Sequence, residues 1–341
     1  MISSNKKVLN DNKEKSVLVF NEKFDTKEYI FENFSWILLL LISIIAGLIN
    51  PIFFSFTNLS NLLLHSVILG ILVLAESICL ISGHFDLTIE SNLIFTAVIA
   101  AWLISSSSVA SGLQLNPFLA IIIMLIIGMA VGAVNGFLVA YVGMNPFITT
   151  LAMSIILSGF SVIISKGRTI YPLPKSFVFL GSGLIGKIPV SIIVLFILYF
   201  IFYIFLTFLP LGRKLYAVGN NSFAADASGI NTKLTILIAY ILSGFLCAFA
   251  GWIMSGRLNS ASSIMTTDIL LFAFAAAVIG GVSLNGGTGK VLGVFGGVLL
   301  LSTINNLMNL ARVSPFIIQA TTGGIILFAM FINTIKNKKL F

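Results

Sequence analysis

Charge is scarce in this chain. Of 341 residues only 9% are Asp, Glu, Lys or Arg, where a soluble domain carries roughly a quarter. So little charge cannot cover a water-facing surface of this size, which excludes a soluble globule. Acidic groups are the rarest: beyond residue 33 there are five, Glu76, Asp86, Glu90, Asp226 and Asp268. There are two cysteines, Cys79 and Cys247, each inside an apolar run. They make neither a disulfide framework nor a metal site and read as helix-packing residues. The sequence offers no catalytic triad, metal-ligand cluster or carboxylate pair, so no catalytic and no metal residues are assigned. No cleavable leader is expected, because residues 1–33 are polar, with no apolar stretch followed by a small-residue cleavage site.

What fills the chain is apolar: 58% of its residues, with a mean hydropathy of +1.10. The apolar runs recur from end to end with no polar domain between them, so one all-α polytopic membrane domain is expected. A helix needs about 20 apolar residues to cross the hydrocarbon, and in lipid its backbone groups must be satisfied within the helix. On that basis ten spans are expected, near 35–55, 61–81, 91–107, 117–140, 146–166, 187–208, 233–256, 268–282, 289–309 and 315–333. The third and eighth are short and flanked by polar or Gly-rich stretches, so each is a candidate broken or re-entrant helix. The expected organisation is a tail over 1–34, a membrane domain over 35–335 and a second tail over 336–341.

The net charge of +8 is not a nucleic-acid signal, because the basic residues lie between spans or at the ends. There they orient the chain. With the N-terminus inside, thirteen basic residues fall on the cytoplasmic side and six outside. The outer loop 167–186 is an exception, basic enough to suggest that it faces a partner. Both tails are therefore expected to be cytoplasmic.

Two stretches echo each other: Asn135 leading into Asn145-Pro146-Phe147-Ile148, and Asn305 leading into Ser314-Pro315-Phe316-Ile317. They are five spans apart, which in a ten-span chain puts them in opposite orientation, the layout of an inverted repeat. Ionisable groups at membrane depth normally face a water-filled path or a partner. Glu76 is the deepest of these. Asp86 lies in the polar interruption 83–91, where it suits either a pathway role or an N-cap, while Glu90 suits the cap region. His65 reads as a packing residue.

The Gly-rich segment 280–290 lacks the spacing of a phosphate-binding loop, since Leu284 stands where a Gly is needed and Val291 follows Lys290. Its glycines, with Gly293, Gly296 and Gly297, are expected to permit close helix approach, as are Gly128, Gly132 and Gly136. Residues 211–232 are too polar to span. Within them Asn221 or Ser222 can cap a short helix over 223–228 that Gly229 ends.

That loop, with Tyr216-Ala-Val-Gly219-Asn-Asn221, Ala224-Ala225 and Gly229-Ile230, resembles the cytoplasmic loop of the ribose-type sugar permeases of ABC importers. Further landmarks of that family occur in order: Gly83-x-x-Asp86-Leu87-Thr88, Asn135-Gly136, Asn145-Pro146-Phe147-Ile148, the Gly-rich segment 280–289, and Asn305-Asn306 before Ser314-Pro315-Phe316. The resemblance covers about residues 60–330. It implies a non-catalytic subunit that forms the pathway for a monosaccharide. The implied partners are an ABC ATPase subunit, an extracytoplasmic sugar-binding protein, a second permease copy or paralogue, and membrane lipid. It implies no cofactor on this chain, with ATP and magnesium used by the ATPase. By the same resemblance Ala224, Ala225, Gly229 and Gly219 couple to that ATPase, and Asp86, Asn135, Asn305, Phe147 and Phe316 line the pathway. The chain departs from the family pattern at His84, Glu90, Ser222, Phe223 and Asp226. Alternatives are an ion-coupled secondary transporter, which Glu76 and Asp86 would suit, and an ABC permease for nucleosides or branched-chain amino acids.

Overall fold

The computed structural model describes residues 33–331, apart from 267, 315, 322, 326 and 328–330. The expected C-terminal tail, and all but the last two residues of the expected N-terminal tail, lie outside the described residues.

Helices follow one another along the chain. They are α1 (Phe34–Ile49), α2 (Phe56–Ile81), α3 (Ile89–Ile104), α4 (Pro117–Phe137), α5 (Pro146–Ser165), α6 (Lys175–Ser182), α7 (Val190–Phe208), α8 (Pro210–Asn220), α9 (Ser222–Ala227), α10 (Thr232–Leu258), α11 (Ile269–Ile279) and α12 (Val291–Leu310). A further apolar helix covers Phe316–Ile325. A hairpin of two short strands, Leu184–Ile185 and Ile188–Pro189, precedes α7. Each expected span overlaps one apolar helix. Among the described residues six are long and apolar enough to cross a membrane, namely α2, α4 with the π turn that extends it, α5, α7, α10 and α12.

Local chemistry sets the ends. Asn116 and Asn145 each accept a backbone N–H at the start of α4 and α5, with Pro at the next position, where its missing N–H costs nothing. The first expected span does not continue to residue 55. It stops at Ile49, and a separate turn over Pro51–Phe54 follows, capped by Asn50. Pro51 cannot donate into the preceding turn, so the helix ends there.

α2 and α10 form the centre. The middle and C-terminal two-thirds of α2 are buried, and α10 packs against α2, α3, α4 and α6. Lipid removes most of the hydrophobic drive between helices, so small residues that let backbones meet become decisive. A methyl group on Gly132 would overlap the Tyr240 carbonyl oxygen, and one on Gly244 would overlap that of Gly128. The expected glycine stripe on α4 is thus the seam with α10. Gly280 and Gly293 make the same kind of contact between α11 and α12.

The bundle has two distinct ends. Ile81, Gly219, Gly287 and the N-terminus of α10 lie at the loop end, where α8 and α9 sit. Asn58, Asn306, Arg257 and residues 166–189 lie at the far end. α3 and α11 are short because they do not run the whole way. At 11 residues α11 is ~16 Å long, about half the hydrocarbon thickness. Their N-termini meet inside the bundle, where the Glu90 Oε2 accepts the Leu270 N–H at 3.3 Å.

Candidate functional site

Three places carry the residues singled out from the sequence. The first is the loop end. Asn221 Oδ1 accepts the Ala224 N–H at 2.9 Å and starts α9. Gly229, at φ +81°, ends it: its N–H bonds the Asp226 carbonyl at 2.9 Å and the Ile230 N–H bonds that of Ala225 at 3.0 Å. That pair of bonds is the left-handed helix stop for which glycine is suited. The two alanines face opposite ways. Ala225 is buried against Val218, Ile236 and Tyr240, whereas Ala224 is exposed together with Ser222, Phe223 and Asp226. Phe223 is 84% exposed, a large apolar group offered to solvent on a polar loop.

The helix that holds α9 in place, α8, was not expected from the sequence. Its inward face, Gly212, Leu215 and Val218, is buried. Gly219 closes it onto the end of α2: a methyl group there would overlap the Ile81 carbonyl oxygen, which also accepts the Gly287 N–H at 2.9 Å. Tyr216 donates its hydroxyl to the Gly289 carbonyl at 2.7 Å. Burial raises the Tyr216 phenol above its ordinary range, so it stays a donor at physiological pH. Backbone of α2, α8 and the Gly-rich segment 280–289 therefore meets at one junction.

The second place is the interruption between α2 and α3. Asp86 is buried, and its Oδ1 accepts both the N–H of Thr88, at 3.0 Å, and the Thr88 hydroxyl. Its Oδ2 accepts the Ser243 hydroxyl at 2.6 Å. Asn135 donates to the Thr88 Oγ1 at 3.2 Å, so α4 joins the same network. Tyr240 donates to the Phe85 carbonyl at 2.8 Å. Asp86 and Asn135 are thus brought together through Thr88, within a packed region where both are buried. Neither Glu76 carboxylate oxygen finds a hydrogen-bond partner among the described residues, although Glu76 is wholly buried. Cys79 and Cys247 are free and buried close by.

The third place is a far-end cleft of about 460 Å³ between α2, α11 and α12, on whose wall Asn305 lies. Asn58 and Asn306 close one side of it by exchanging two carboxamide hydrogen bonds, each 3.0 Å. Phe147 and Phe316 join none of these groups; both lie exposed at the starts of their helices, Phe316 at 82%.

Sequence reasoning named Thr88 and Asn306 only as family landmarks, gave them no role, and missed Ser243 and Asn58 altogether. A buried Asp requires donors, which is a signal, but spacing alone does not say that Ser243, 157 positions away, supplies one.

Known proteins resemble this chain over most of its length. The family model described as "Branched-chain amino acid transport system / permease component" matches residues 58–335. The ribose import permease protein RbsC of Haemophilus influenzae is 33% identical over 322 residues, 93% of this chain and 98% of that protein. RbsC of Bacillus subtilis is 35% identical over 301 residues, 88% of this chain and 91% of that protein. The galactose/methyl galactoside import permease protein MglC of Salmonella typhimurium is 33% identical over 315 residues, 88% and 93%. No solved structure matches. A family match over most of the length, with full-length relatives above 30% identity, means that this multi-pass membrane protein belongs to the permease-component family that includes these sugar import permeases.

Proposed function

We propose that the chain is the membrane-spanning permease subunit of an ATP-driven monosaccharide importer. The observation that carries the coupling part is the loop-end junction, where the exposed α9 is tied through Gly219 to the backbone of α2. A push on α9 reaches a central helix without passing through flexible side chains. Coupling needs such an element, whose two arrangements an ATPase can bias.

In this reading the loop end is cytoplasmic and the far end outside, with both termini inside and ten helices in the membrane. Ala224 and Phe223 face the ATPase, Ala225 anchors α9, and Gly219 and Gly229 fix its position. Asp86 and Asn135 brace the broken helix beside the pathway, and Asn305 lies on the pathway itself. Phe147 and Phe316 begin the paired helices α5 and Phe316–Ile325 of an inverted repeat, which the meeting N-termini of α3 and α11 also support. ATP and magnesium belong to the separate ATPase subunit. A binding protein delivers the sugar to the basic outer surface that bears Lys166, Arg168, Lys175 and Lys187, and a second permease copy or paralogue completes the pathway. Sugar is favoured over branched-chain amino acids because the full-length relatives named above are sugar permeases.

Replacing Gly229 with Trp tests this reading. The expected result is loss of sugar uptake and of ATPase association in a detergent pull-down, with the chain still inserted. Unchanged transport and unchanged association would remove the docking role. The unpartnered Glu76 favours one other reading, an ion-coupled transporter. Uptake that collapses with an uncoupler while ATP stays high would select that reading.

A further inference from the structure

The far-end cleft has chemistry of its own. Two polar stripes face it. Asn58, Asn61 and His65 recur at helical spacing on α2, and Ser302, Asn305 and Asn309 recur on α12. Its volume of about 460 Å³ falls within the roughly 300–1,000 Å³ typical of small-molecule sites. From Asn58 to Leu69 it runs ~16 Å along α2. Leu69, Ile269, Phe272 and Leu301 supply apolar wall.

None of its lining residues among the described ones is Asp, Glu, Lys or Arg. Asp268, the neighbour of Ile269, accepts a hydrogen bond from Gln319 instead, at 2.7 Å. Arg257 stands behind His65, within 3.4 Å of its ring nitrogens, with another arm on the Leu64 carbonyl at 3.2 Å. A zwitterion would need fixed opposite charges here, since a buried charge without a partner is costly. Carboxamides and hydroxyls, which both donate and accept, suit a neutral solute carrying many hydroxyl groups. Phe272 and the aliphatic wall suit the C–H face of a sugar ring. Part of the carboxamide capacity is already committed, because Asn58 is paired with Asn306 and the Asn309 amide donates to Asn305. Asn61 is exposed and lines the cleft, so its carboxamide is open to a solute.

We propose that this cleft between α2, α11 and α12 is an entry site for one neutral monosaccharide, contacted by Asn61, His65, Ser302, Asn305 and Asn309. It rests on the importer reading and adds to it a site, a side of the membrane and a reason for excluding amino acids. The Asn58–Asn306 pair sets the width of the cleft by tying α2 to α12.

The test uses the full chain in sealed right-side-out vesicles. Asn309→Cys is alkylated with a membrane-impermeant maleimide, with D-ribose, D-allose, D-galactose or L-leucine present. Cys79 and Cys247 are wholly buried and do not compete for the reagent. Alkylation from outside, slowed by at least one of the sugars and not by leucine, is the expected result. Adding Asn61→Leu should weaken that protection about tenfold, the worth of one hydrogen bond, with no change in thermal midpoint. Absence of labelling, protection by leucine, or no protection by any sugar overturns the proposal. ATP-dependent sugar uptake by the wild-type importer is measured in parallel. Uptake without protection overturns the entry site alone, and absence of uptake overturns the importer reading as well.

Discussion

The two ends of α2 are held in opposite ways. At its C-terminus the Ile81 carbonyl is enclosed by backbone, with Gly219 pressed against it and the Gly287 N–H bonded to it. At its N-terminus Asn58 reaches Asn306 with a side chain, beside an open cleft. Backbone contact through glycine leaves no slack, so a displacement at one element is a displacement at the other. Side-chain contact across a cleft can be remade in another rotamer. A helix built this way is rigidly connected where force would enter and adaptable where a solute would.

That contrast can be broken from either end. The largest effect is expected from Gly219→Leu, which drives a side chain into the Ile81 carbonyl. Overpacking of this kind costs about 3 kcal/mol or more where backbone must move. Thermal unfolding in detergent should show a large drop in midpoint and uptake should vanish; a wild-type midpoint would mean that the junction is loose. Asp86→Ala comes next, because it leaves the Thr88 N–H, the Thr88 hydroxyl and the Ser243 hydroxyl without their acceptor. About 2–3 kcal/mol is expected, with Asp86→Asn recovering much of it in the same assay.

At the open end the effect should be smaller. A double-mutant cycle on Asn58→Ala and Asn306→Ala should give a coupling of about 0.6–2 kcal/mol, the range for hydrogen bonds between membrane helices. A coupling as large as the Gly219 effect would erase the distinction between the ends. Smallest of all in stability is Phe223→Ser, within about 0.5 kcal/mol because the ring touches little. Its effect should be read instead as weaker recovery of the ATPase in a pull-down. Equal recovery would show that the exposed ring is not part of the docking surface.

Much of this was legible in the sequence, for identifiable reasons. Helix positions follow from runs of apolar residues, because lipid leaves the backbone no partner but itself. The cap and stop of α9 follow from Asn221 and Gly229, because both are local chemistry. The glycine stripe of α4 announced a close seam, though not that α10 was the other side of it. α8 was harder to see, since its composition is that of a polar loop and only three inward residues mark its buried face.

By itself, then, the sequence determined the solvent, the apolar helices, the cap and stop of α9 and the family, all of which depend on composition or on neighbours a few positions apart. Tertiary structure alone decided which distant groups meet: Asp86 with Ser243, Asn58 with Asn306, Gly219 with Ile81. It also decided that Asn305 opens onto a cleft while Asn135 is buried in a network. A carboxamide in an apolar run must find a partner or water. Which of the two it finds depends on the packing of helices far apart in the chain.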